Sequence, residues 1–289
     1  MTMSVLNIAA RRILPIALVL APVLATNAAS AQGGSPAAYG DHQSPIDIID
    51  ALVRFDPNAP KFGDTSELGK AVTFTLKNTI GSHWCDTCAG FVDQRWGSLK
   101  AYPASAPRIL FGGFRYTLKE FHFHAPAEHL VNGKLTEMEV HFVFKKDLAP
   151  DCGPDGYLVI GERIMKGQPN PELEKIFGPL VPLPTSYSSP PATVNNFIIG
   201  NVLNGLPDSY RYAGSLTAPA ELGCSYPPGN PNQQLASGYL PEVVSWVVLK
   251  ETIQMSEQQI ARFQALFPNG DARGPQTLRQ EVRKTFNGN

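Results

Sequence analysis

Phe121-His122-Phe123-His124-Ala125-Pro126-Ala127-Glu128-His129 returns, after a short turn, as Glu137-Met138-Glu139-Val140-His141-Phe142-Val143. Four of the six histidines of the chain lie in these two arms. On a strand, residues two apart share a face, so His122 and His124 point one way and Phe121 and Phe123 the other, toward a core. Asn132-Gly133 is a strong hairpin signal and predicts that Glu139-Val140-His141 folds back beside the first arm, with His141 on the shared face. One buried histidine is usually a satisfied core residue, and two at i, i+2 can arise by chance. A third on the returning arm, with acidic neighbours, points instead to a metal. Three imidazoles with one open position match the catalytic type of tetrahedral zinc site.

A second metal reading starts from the same residues. His-x-His followed by x3-Glu resembles half of a cupin motif, which belongs to a jelly roll and would use His122, His124, Glu128 and a later histidine. That later histidine should fall tens of residues on. His141 is too close and no histidine follows it, so the cupin reading is set aside.

The chain resembles the alpha-class carbonic anhydrases. Phe-His-Phe-His, Glu128-His129 and Glu139-x-His141 match that family's zinc signature. Gln43-Ser44-Pro45-Ile46-Asp47, Tyr212-x-Gly214-Ser215-Leu216-Thr217 and Ser245-Trp246-Val247-Val248-Leu249-Lys250 match further family segments, in the family's order, over about residues 43 to 280. The resemblance implies a mainly β (α+β) single domain. Its large twisted sheet is mostly antiparallel and carries short peripheral helices, with zinc at the base of a conical cavity.

It also implies reversible hydration of carbon dioxide to bicarbonate and a proton through a zinc-bound hydroxide. Zn2+ would be held by His122, His124 and His141. Thr217 would orient the hydroxide by donating to Glu128, since a carboxylate can only accept and so fixes the direction of that bond. Val143, Val159, Leu216 and Trp246 would form an apolar wall for the substrate, although composition alone makes them ordinary core. Metal-bound histidines usually donate their second N–H to an oxygen. Glu139 matches the family's acid for His141. Before His122 the family commonly has glutamine, and here Glu120 stands in its place, which predicts tighter metal binding. Arg273, near Asn269 and Asp271, matches the family's C-terminal region loosely. His83, in Asn78-Thr79-Ile80-Gly81-Ser82-His83, is the candidate proton shuttle. Two extra residues leave its position open, because a one-residue slip on a strand flips the face, and the alternative is a structural or surface histidine held beside Trp84 and Cys85 in a disulfide-bound loop. The rival function is a catalytically silent zinc-binding protein on the same fold; silent relatives typically lose a histidine ligand, and all three are here.

The N-terminus reads as a secretory signal: Arg11-Arg12, an apolar run from Ile13 to Leu24, and Ala29-Ser30-Ala31 as the cleavage site. The run is short for a bilayer span, so no stable membrane insertion is expected after cleavage, and the mature chain is placed in the periplasm or outside the cell. The segment 1–31 holds two arginines and no acidic residue, so its removal leaves 258 residues and takes the formal charge from −1 to −3. That excludes a broad basic surface for nucleic acid and suits a small-molecule substrate. A homodimer is compatible with the sequence. Residues 32–289 are read as one catalytic domain, with 32–42 a flexible tail and 221–240 a loop insertion rich in Gly, Pro, Asn, Gln and Ser. Cys85, Cys88, Cys152 and Cys224 make an even count, which in an exported protein suggests two disulfides, with all three pairings open. Exported relatives often tie a cysteine near the Gln43 motif to one after the active-site loop, but no cysteine precedes Gln43 here.

Elsewhere, Val72–Leu76, Phe114–Phe123 and Tyr157–Ile164 read as strands. Asn170–Phe177 reads as a short helix with Pro171 in its first turn. Ser256-x-x-Gln259 is a capping box opening a helix that buries Ile260, Phe263 and Leu266.

Overall fold

The computed structural model describes residues 41–79, 97–150, 153, 155–218 and 240–285. The expected signal segment 1–31, all but the end of the expected 32–42 tail, His83, the four cysteines and nearly all of the expected 221–240 insertion lie outside the described residues.

Thirteen described strands follow in chain order: β1 (Asp47–Ile48), β2 (Arg54–Phe55), β3 (Val72–Asn78), β4 (Leu99–Pro103), β5 (Arg108–Phe111), β6 (Phe114–His124), β7 (Leu130–Val131), β8 (Met138–Lys146), β9 (Tyr157–Lys166), β10 (Ala192–Phe197), β11 (Ser209–Gly214), β12 (Val244–Met255) and β13 (Arg283–Thr285). Among them run the short helices α1 (Glu174–Phe177), α2 (Ile199–Val202) and α3 (Glu257–Gln264). Eleven strands form one sheet in the order β10-β3-β4-β6-β8-β9-β12-β11-β13-β2, with β5 on β6. The pairs are antiparallel except β9 with β12 and β2 with β13, so the sheet is mixed but mostly antiparallel.

The sheet has an apolar face and a site face. Phe121 sits between Phe74, Phe142 and Phe197, with ring centroids 4.9, 5.1 and 5.2 Å away. Phe123 packs on Phe177 of α1 and Phe263 of α3. A side chain of that size, fully buried, contributes roughly 1.5–3 kcal/mol from removal of apolar surface alone. The capping box of α3 forms as its sequence predicts, with the Ser256 side chain on the Gln259 N–H and the Gln259 side chain on the Ser256 N–H. The helix ends at Gln264, so Leu266 packs on the core from beyond it. The helix predicted over Asn170–Phe177 is regular only from Glu174, because the Asn170 side chain caps the Glu172 and Leu173 N–H groups in a preceding turn.

Phe121, and not His122, faces the core because β6 contains a bulge. Tyr116 and Leu118 face the core; beyond the bulge, Phe121 and Phe123 do so. Leu118 pairs with Phe144 and Glu120 with Val143, so Lys119 is the extra residue. One added residue shifts the alternation by one and turns Glu120, His122 and His124 together onto the site face. Asn132 and Gly133 take positive φ values of 53° and 72° and make a tight turn, but it joins Val131 to Lys134 rather than closing the two histidine arms directly. Among the described residues no helix is long and apolar enough to cross a membrane.

Candidate metal centre

The β6–β8 register places His122 opposite His141 and His124 opposite Glu139. The three imidazole rings lie 4.8, 5.3 and 4.9 Å apart between centroids. One nitrogen from each falls within 4.8 Å of the others.

Hydrogen bonds show which nitrogens are left to converge. His122 Nδ1 faces both oxygens of Glu120 at 2.9 and 3.0 Å. His124 Nδ1 lies 3.2 Å from the main-chain oxygen of Asp271. His141 Nε2 lies 3.0 Å from Glu139 Oε1. The remaining atoms are Nε2 of His122, Nε2 of His124 and Nδ1 of His141. His124 Nε2 is buried and has no hydrogen-bond partner, a costly state for a polar atom. Burial, the largest influence, holds the pKa of His124 well below the usual histidine value, and burial likewise lowers His122. Neutral imidazoles with their second nitrogens held by oxygens are the donor set that zinc takes, so the residues present fit this metal. The cupin arrangement is not formed, since the third nitrogen comes from His141.

Glu139 is the hub beneath the triad. It is fully buried and accepts from the Glu128 and His129 main-chain N–H groups at 3.0 and 2.8 Å, from His129 Nδ1 at 2.7 Å, and from His141. Burial alone would push this carboxyl up, but His129 and His141 outweigh it and hold it well below the usual range. His129, Glu139 and His141 also lie close enough to suggest a second metal group, but their hydrogen bonds already occupy the facing atoms.

Glu128 is 1% exposed. Its Oε1 accepts the Arg273 main-chain N–H at 2.8 Å. Its Oε2 lies 3.6 Å from His124 Nε2 and 3.8 Å from His141 Nδ1. Burial pushes its pKa up to about 7, opposed by His141, the Arg273 N–H and a hydrogen bond from the Thr217 hydroxyl. Thr217 is thus brought to Glu128 at the edge of the triad. Its loop is pinned by the Trp246 indole donating to the Ser215 carbonyl at 2.9 Å. Val143, Val159 and Trp246 share one cluster on this face, with Leu216 packed against it.

Three residues given no role by the sequence reading complete the setting. His129 Nε2 lies 2.6 Å from the Tyr212 hydroxyl, which donates to Ser44 Oγ at 3.2 Å. This chain ties three matched segments together: the Gln43 motif, the histidine arms and the Tyr212 loop. The sequence signal was present, since each residue sits inside a quoted motif, but their mutual contact was not visible. Arg273, read as a loose match, bonds Glu128 through its main chain and the Ser44 carbonyl through its side chain at 2.6 Å.

A sequence profile described as "Eukaryotic-type carbonic anhydrase" matches residues 29–224. The chain is similar to carbonic anhydrase 1 of Oryctolagus cuniculus, 27% identical over 244 residues that cover 80% of this chain and 89% of that protein. It is also similar to carbonic anhydrase 7 of Homo sapiens, 27% identical over 243 residues, 80% of this chain and 79% of that protein. Among solved structures it resembles an alpha-carbonic anhydrase from Thermovibrio ammonificans in complex with the inhibitor sulfanilamide. That likeness has a TM-score of 0.60 and 28% identity, over 84% of this chain and 87% of the other.

Proposed function

Because the chain belongs to the eukaryotic-type, or alpha, carbonic anhydrase family, we propose that it is a zinc enzyme that reversibly hydrates carbon dioxide to bicarbonate and a proton. The observation that carries this reading is the convergence of three imidazole nitrogens whose ring partners are each held by an oxygen. His122 and His124 through Nε2, and His141 through Nδ1, would hold the metal. Zinc, when bound, supplies a Lewis acid that makes water nucleophilic at neutral pH, with a pKa of about 7 that is the known value for carbonic anhydrase itself.

The other steps fall to the chain's own groups. Glu128, as a carboxylate, accepts a hydrogen bond from the Thr217 hydroxyl, which leaves the Thr217 oxygen free to accept a hydrogen bond from water at the triad and so to orient its lone pair. Val143, Val159, Leu216 and Trp246 offer a small apolar substrate a surface with no charge to compete for it. Glu120 and Glu139 fix the orientation of His122 and His141. His83 is the proposed proton carrier, since an imidazole titrates near neutral pH. Export through the segment 1–31 is part of the same proposal.

Metal analysis and a carbon dioxide hydration assay on the purified chain test the reading. Stoichiometric zinc and hydration inhibited by sulfanilamide are expected, and His124→Ala should lose zinc and turnover together. Full zinc occupancy without hydration would favour the silent binding protein. Stoichiometric zinc in His124→Ala would show that the ligand set is wrong.

A further inference from the structure

Tyr210 and Tyr212 of β11 belong to the cluster on the site face, so Arg211 between them turns to the apolar face. Its partner across the ladder on β12, Val247, lies in the phenylalanine core. Arg211 is only 6% exposed. Its Nε donates to Ser209 Oγ at 3.2 Å. Nη1 and Nη2 are buried and have no hydrogen-bond partner among the described residues. The guanidinium carbon stands 5.1 Å from the centre of the Phe111 ring and 5.5 Å from that of Phe62, within cation–π range.

Those rings attract the charge but offer the Nη groups no oxygen. A buried donor without an acceptor is costly, and a buried charge without a counter-charge more so. Burial pulls the Arg211 pKa down to about 10, and no neighbouring carboxylate among the described residues pulls it back. The group is still a cation at neutral pH. Arg283 stands directly opposite it on β13, and Asp56 and Glu281 both pair with Arg283. Phe62 is half-buried and, with Lys61, Leu110 and Gly112, lines an open cleft of about 610 Å3. The Phe62 ring is thus shared between the cleft and the guanidinium.

We propose that Arg211 is a binding site for a small, singly charged planar oxyanion, a carboxylate or bicarbonate, which enters from the cleft past Phe62. The two open Nη groups match the two oxygens of such an ion side by side. One negative charge balances the guanidinium. A dianion such as sulfate would leave its second charge uncompensated among phenylalanines. The site lies on the face of the sheet away from the histidines, so it does not rest on the zinc reading. If the ion is bicarbonate, the product of the proposed reaction binds where it does not compete at the metal.

The test is thermal melting of the full chain and of R211M, each with formate, bicarbonate or sulfate at one ionic strength. Methionine keeps much of the side-chain volume and removes the charge. Anions acting at the metal or on the surface affect both proteins alike, so the difference between the two is the readout. At ten times the dissociation constant of formate or bicarbonate, the wild type should gain roughly 3–6 °C beyond the change in R211M. A gain with both ions marks a site for carboxylates in general, and a gain with bicarbonate alone marks a site for that ion. Equal responses of the two proteins, or a response to sulfate alone, would overturn the site. Should R211M fail to fold, a crystal structure of the wild type grown with formate decides. The anion on both Nη atoms is expected, and water alone in its place would overturn the proposal.

Discussion

Thr217 gains its proposed role from one neighbour. A threonine hydroxyl can donate once and accept twice, and Glu128 can take that donation because its other bonds come from the Arg273 N–H and the field of His141. Thr217→Ala should keep stoichiometric zinc while lowering carbon dioxide hydration on the order of a hundredfold, as for loss of one positioned hydrogen-bond partner. Thr217→Ser, with the same hydroxyl, should retain most of the activity. Turnover of the alanine variant at the wild-type level would mean that something other than Thr217 orients the attacking water. At this scale the sequence was informative where a residue acts with its near neighbours. Glu139 and His141 are two apart, and so are Glu120 and His122. It was silent where partners are distant in the chain: the carbonyl that faces His124 belongs to Asp271, 147 residues on.

Strand β9 serves the site by what one residue lacks. Gly161 stands opposite His141 in the β8–β9 ladder. A Cβ there would lie 2.8 Å from Glu139 Oε1 and 3.6 Å from His141 Cδ2. Glu139 cannot yield without loosening its four hydrogen bonds. Gly161→Ala should therefore leave the sheet intact by far-UV circular dichroism but weaken zinc retention by about tenfold or more, the usual cost of disturbing a group that orients a metal ligand. Zinc release to a chelator at the wild-type rate would show that Glu139 can move aside freely. The two phases of β6 could be seen in the chain, with apolar residues at 116 and 118 and then at 121 and 123. The bulge that joins them was not foreseen, since alternation alone does not say where an extra residue sits. The parallel pairing of β9 with β12 likewise joins segments some eighty residues apart, and no local pattern announces it.

Across the described residues, the sheet buries its phenylalanines on one face and most of its buried ionisable groups on the other, and one carboxyl on the apolar side bears on stability. Glu162 follows Gly161 and so turns to the apolar side, where it is 1% exposed and its Oε1 has no hydrogen-bond partner. Burial pushes its pKa from 4.5 up to about 9, against the pull of Arg163 and the Ile253 N–H. The folded protein thus holds this carboxyl protonated at neutral pH, whereas the unfolded chain ionises it. For an acid whose folded pKa is raised, stability is fully present below about pH 4.5 and falls as pH rises toward about 9. Glu162→Gln keeps the shape and the acceptor for Ile253 but removes the titration. Its melting temperature should match wild type near pH 4 and exceed it increasingly from pH 5 to 9, with a gain on the order of 2–3 kcal/mol at neutral pH. Thermal melts of both proteins across that range, with zinc held in excess so that metal loss does not contribute, would check the slope. A difference independent of pH would mean that Glu162 ionises in the folded state as it does in the unfolded chain.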